Sequence, residues 1–104
     1  MIKHFSALDP SEWRVLTFDF SDDLATGETL TTAVTVAVAV IKGVDGTPTG
    51  ILSGSPTFNV ENTKILQAVK ASTEGNTYAI KVVSSTSDPL KKLAMTGILP
   101  ITQG

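Results

Sequence analysis

Gly75-Asn76-Thr77-Tyr78-Ala79-Ile80-Lys81-Val82 is the stretch that decides the fold. A Gly-Asn turn gives way to strict alternation, which places Tyr78, Ile80 and Val82 on one face of an extended chain. That period of two marks a strand with one buried face. It reads as the Tyr-bearing strand of a small β-sandwich. The Tyr78 ring is expected in the core, with its hydroxyl bonded to a backbone group near the Gly75 turn.

Working outward, the same alternation recurs. Arg14 to Phe20 sets Leu16, Phe18 and Phe20 against Val15, Thr17 and Asp19, which predicts a first half-buried strand. Thr29 to Ile41 predicts a long second strand, with Val34, Val36, Val38 and Val40 alternating with Thr35, Ala37 and Ala39. Gly54 and Pro56 break Ile51 to Val60 into short extended pieces. By period alone Asn62 to Lys70 fits a strand or a short helix, and its Thr and Val content between neighbouring strands favours the strand. Leu90 to Ile101 predicts a last strand, interrupted by Gly97 and ended by Pro100. About six or seven strands and almost no helix indicate an all-β, single antiparallel sandwich, and the Tyr78 corner gives it an immunoglobulin-like cast. The expected organisation is an N-terminal arm over 1–13 and a sandwich domain over 14–104.

The chain has 104 residues, enough for one domain with one core. With no cysteine, disulfides, thiolate nucleophiles and Cys-based zinc sites fall away together. Ten acidic residues against eight basic ones leave no basic block to displace counterions from a phosphate backbone, so no nucleic-acid partner is expected. The longest apolar run, Ala33 to Ile41, is far shorter than the roughly 20 residues of a membrane-spanning helix, and no membrane partner is expected. Met1 to Pro10 lacks the apolar centre of a secretory signal, so synthesis in a host cytoplasm is expected.

Catalytic and metal chemistry find little support. Asp19, Asp22 and Asp23 form the densest carboxylate group, but a calcium loop started at Asp19 would have Leu24 where glycine is needed and Leu30 where glutamate is needed. A solvated, turn-forming loop is the better reading. His4, the sole histidine, stands in a terminal segment expected to be mobile, which makes a poor seat for a general base. No phosphate-cradling pattern surrounds Gly43, Gly46, Gly50 and Gly54. No catalytic residue, cofactor or metal ligand is therefore assigned, and the chain is not expected to be an enzyme.

Two features point to partners instead. Thr31, Ala33, Thr35, Ala37 and Ala39 make one strand face small and uncharged, where a solvated sheet face carries Lys or Glu. Either a curled sandwich buries both faces, or a subunit covers this one. Near the N-terminus Trp13 and Phe5 serve either as a plug for one end of the core, the preferred reading, or as an aromatic contact patch.

In order and spacing, Leu8-Asp9-Pro10-Ser11-Glu12, Thr17-Phe18-Asp19-Phe20-Ser21, Gly27-Glu28-Thr29-Leu30, Gly75-Asn76-Thr77-Tyr78-Ala79-Ile80 and Leu99-Pro100-Ile101 resemble the small immunoglobulin-like virion proteins of tailed bacteriophages. The resemblance spans most of the chain. It departs at Phe20, where that family commonly has Trp, and at Ala71-Ser72, where it commonly has a glycine pair. The resemblance implies a non-enzymatic adaptor in the virion, bound to portal, connector, tail, fibre or capsid subunits and homo-oligomeric in the particle. A capsid decoration or cement protein is the alternative, with a carbohydrate- or receptor-binding module behind it. On that reading Phe5, Leu8, Trp13, Thr31, Thr35 and Ala37 are expected to contact neighbouring subunits.

Overall fold

A computed structural model describes residues 2–70 and 73–102. The chain is all-β: about half of it is strand, and among the described residues no helix reaches seven residues. In chain order the strands are β1 (Ile2–His4), β2 (Arg14–Asp19), β3 (Leu30–Lys42), β4 (Thr57–Phe58), β5 (Lys64–Val69), β6 (Thr77–Thr86) and β7 (Lys92–Pro100), with short 3-10 turns at Ser21–Asp23 and Pro48–Ile51. They form a four-stranded sheet ordered β1-β7-β6-β3 and a three-stranded sheet ordered β2-β5-β4.

β6 sits inside the larger sheet, antiparallel to β3 on one side and to β7 on the other. Its alternation settles the packing. Tyr78, Ile80 and Val82 are fully buried, and they share one core with Leu16, Phe18 and Phe20 on or beside β2, Ile65 and Val69 of β5, and Met95 and Leu99 of β7. Burying side chains of this size is worth about 1.5–3 kcal/mol each, which makes this shared layer the main source of stability. Within Asn62 to Lys70 the strand runs Lys64–Val69, because Ile65, Gln67 and Val69 all face that layer at a period of two. Gln67 is the polar exception. Its Nε2 donates to the carbonyls of Ala68 (2.8 Å) and Gly54 (3.2 Å), which holds the irregular segment around Gly54 against β5.

Two expectations need correction. The larger sheet is mixed rather than purely antiparallel, because β1 runs parallel to β7 with Ile2 opposite Thr96 and His4 opposite Ile98. Nor do residues before Trp13 form a separate arm. The Phe5 amide donates to the Ile98 carbonyl (2.9 Å) and the Leu8 amide to the Pro100 carbonyl (2.9 Å), so the segment continues along β7. The physical reason is an apolar groove. Phe5 meets Phe18 edge-on, with centroids 5.3 Å apart and planes at 76°, and Leu8 is fully buried.

Gly97 makes that docking possible. A Cβ at Gly97 would strike the Phe5 ring and lie 3.0 Å from Cε2 of Phe18. The interruption in the last strand is thus a slot for two aromatic rings. Gly97→Ala is expected to cost about 1–3 kcal/mol through overpacking, measured by urea unfolding. Phe5→Leu, which withdraws the obstructing ring edge, should recover part of that loss in the double variant; an unchanged midpoint in Gly97→Ala would contradict the slot.

Candidate functional site

The sequence-predicted contact residues are not gathered in one place. Phe5 packs against the core and Leu8 lies inside it, so Leu8 has no surface left for a neighbouring subunit. Thr31 is half-buried, whereas Thr35 and Ala37 are exposed on the outer face of the larger sheet. The side chain of Ala33 lies outside the described residues, as do Ala71 and Ser72. Trp13 leads into β2 of the other sheet and is 73% exposed, which corrects its preferred reading as a core plug. His4, expected on a mobile segment, is a paired residue of β1.

Trp13 is exposed on an anchored backbone. The Arg14 guanidinium donates through Nη1 to the Ser6 carbonyl (2.8 Å) and through Nη2 to the Ala7 carbonyl (2.9 Å) and the Glu12 carboxylate (3.1 Å). Asp9 Oδ1 accepts the Ser11 amide (2.9 Å) and hydroxyl (2.6 Å), which fixes the turn before it. Next to Trp13, Val15 is 58% exposed and lies across from Ala68 in the β2–β5 register. The result is a fixed aromatic with an apolar neighbour and a charged rim, the composition of a contact hot spot.

The outer face of the larger sheet is a second surface. Register places Ala37 beside Lys81 and Ala39 beside Ala79, then Thr96 beside Lys81 and Ile98 beside Ala79. Ile2 and His4 extend this face on β1, with Ile2 66% exposed. Among the described residues this face carries Lys81, Lys92 and, opposite Thr77, Lys42, and no carboxylate, so it is apolar with a weak positive bias.

The polar groups that the sequence singles out do structural work. Asp19 Oδ1 accepts the Ser21 amide (2.9 Å), and the Ser21 hydrogen bonds hold the Asp19 carboxyl below its usual range. Lys91 Nζ donates to the Asp23 carbonyl (2.6 Å) and to Glu28 Oε1 (2.8 Å), tying the acidic turn to the loop before β7. That lysine lowers the Glu28 carboxyl, helped by the Ala25 amide.

Tyr78 has a partner that the sequence does not disclose. Its hydroxyl donates to Asp45 Oδ2 (2.7 Å) on the loop after β3, rather than only pinning its own turn. Asn76 Nδ2 donates to the Val44 carbonyl (3.1 Å) and to the Tyr78 hydroxyl (3.2 Å). Asp45 Oδ1 accepts the Thr47 amide (2.9 Å), an Asx turn that aims the carboxylate inward. Gly43 admits Asn76: its φ is +96° and a Cβ there would collide with the amide oxygen. The Tyr78 hydrogen bond is the leading cause of a lowered Asp45 carboxyl, followed by the Thr47 amide.

No family model, curated protein or solved structure matches the chain.

The sign of the pH effect follows from these lowered carboxyls. Their stabilisation is fully present above the ordinary carboxyl range near about pH 4, and it is lost as pH falls through the lower folded-state values. Tyr78→Phe should therefore melt below the wild type at neutral pH, with the gap narrowing as Asp45 becomes protonated. Asp45→Asn and Tyr78→Phe should be non-additive in a double-mutant cycle. A melting gap constant from pH 7 down to about 2.5 would exclude the charged hydrogen bond as its source.

Proposed function

We propose that the chain is an immunoglobulin-like β-sandwich acting as a non-enzymatic virion protein of a tailed bacteriophage, an adaptor bound to other subunits at the head-tail connector, tail or fibre attachment site. The observation that carries the reading is the anchored, exposed Trp13 with Val15 beside it. Large apolar side chains held on a fixed backbone lose little entropy on contact, so they suit permanent assembly better than transient capture. The ordered motifs from Leu8-Asp9-Pro10 to Leu99-Pro100-Ile101 supply the phage assignment, and the weakly basic outer sheet face offers a second contact. An adaptor works by being covered on two sides. Trp13 leads into the three-stranded sheet and the outer face belongs to the four-stranded one, which suits a part placed between two neighbours.

The test uses particles assembled from the genome that encodes the chain. Removing Met1 to Pro10 would strip Phe5 and Leu8 from the core, so the informative variant is Trp13→Ser with Val15→Ser. It should keep the wild-type circular dichroism spectrum and melting behaviour while its incorporation, quantified by mass spectrometry of purified particles, drops at least tenfold, the effect of about 1.4 kcal/mol lost at a contact. Wild-type copy number should match a ring of connector or fibre subunits. A capsid-scale copy number would replace the adaptor by a decoration protein, and absence from the particles would end the virion reading.

A further inference from the structure

The four outer edges of the two sheets differ in how they are protected. β1 is short, Ile2–His4, and carries Lys3. β4 is only Thr57–Phe58 and follows Pro56. β2 carries Arg14 and Asp19, and Lys3 Nζ reaches across to the Thr17 carbonyl (3.2 Å). Short length, proline and lysine are the usual guards against strand addition. β3 has neither short length nor proline, and its one lysine, Lys42, is its last residue: the strand is 13 residues long and uncharged from Leu30 to Ile41. β6 pairs with one side of it, and among the described residues no other strand pairs with the opposite side. The turn Pro48–Ile51 lies beside β3 and makes no backbone hydrogen bond to it.

We propose that this edge pairs with the same edge of a second copy, antiparallel about a two-fold axis at Ala37. Three observations select the partner and the register. The β3–β6 ladder is regular from Val34 to Val40 and is broken by irregularities on both flanks, which limits clean strand addition to that stretch. Centring an antiparallel pair on it sets Ala37 against Ala37, Val36 against Val38, Val34 against Val40 and Thr35 against Ala39. In this register the half-buried valine row of one copy continues into that of the other, and the exposed Thr/Ala row does likewise. Opposed residues of an antiparallel pair always share a face, so what this register adds is the absence of charge and of bulk beyond valine along the paired stretch.

The pairing extends the four-stranded sheet into its twin. It satisfies the outward amides and carbonyls of both edge strands and joins the two outer faces into one surface. An edge contact of this kind buries limited area, so the association is weak and concentration-dependent until other contacts add to it. It stands independently of the virion reading, since it requires only this chain.

Sedimentation velocity on the purified chain, in a series rising to about 1 mM, should show reversible dimers. Ala37→Lys places two lysines at the axis, flanked by Lys81 of each copy, and should move the midpoint of association upward at least tenfold with an unchanged circular dichroism spectrum. Mixing Ala37→Lys with Ala37→Glu should restore dimers as the mixed species. The chain has no cysteine, so Ala37→Cys gives a single thiol whose counterpart lies across the axis within disulfide reach, and mild oxidation should cross-link it more readily than Val60→Cys. A wild-type chain that stays monomeric throughout the series overturns the proposal. So does a dimer that Ala37→Lys leaves intact, or one that cross-links no better through Ala37→Cys than through Val60→Cys.

Discussion

The inward row of β6 is the constraint on which the remaining structure depends. Because β6 is hydrogen-bonded on both sides, Tyr78, Ile80 and Val82 cannot shift register without dragging β3 and β7 with them, and a one-residue slip would turn all three outward. The second sheet then has only one apolar surface to cover. Phe18, Ile65 and Val69 meet that surface from β2 and β5, and the loops are left to adjust around them.

Two closures of different kinds border this layer. Opposite Ile80 the slot over Gly97 takes Phe5 and Phe18, a purely steric closure. At the Tyr78 end of β6 the Tyr78 hydroxyl enters a polar cluster with Asp45 and Asn76, where the geometry of Gly43 and the Asx turn at Thr47 hold the carboxylate in place. A steric end tolerates acid and salt, whereas a charged hydrogen bond does not. Acidification is therefore expected to loosen the loops held by Asp45 and Glu28 before it disturbs the slot over Gly97.

Much of the fold is legible in the sequence where a buried face repeats often enough to leave a period. β6 alternates throughout, β3 does so from Val34 to Val40, and β5 shows its strand character once Gln67 is accepted as an inward residue. β1 is not legible, because three residues carry no period and its parallel partner lies at the other end of the chain. The burial of Leu8 follows from that pairing and is hidden with it. Trp13 shows the reverse case. Its size suggests the interior, but the Arg14 hydrogen bonds to Ser6 and Ala7 are filled from the surface and leave the indole outside. The Tyr78 partner is equally silent, since nothing in the spacing of Asp45 and Tyr78 predicts that a loop will bring them together.

The parallel pairing of β1 with β7 has a consequence for the order of events during synthesis. β1 is made well before the strand it pairs with, since Ile2 to His4 lie against Thr96 to Ile98. Until those residues emerge, Phe5 and Leu8 have no groove and the core stays open along one side. Contacts between such distant parts of a chain form slowly, and apolar groups that wait for them are the ones molecular chaperones recognise. A nascent chain arrested before Thr96 should thus leave Phe5 and Leu8 undocked, and release of β7 becomes the step that closes the core around them.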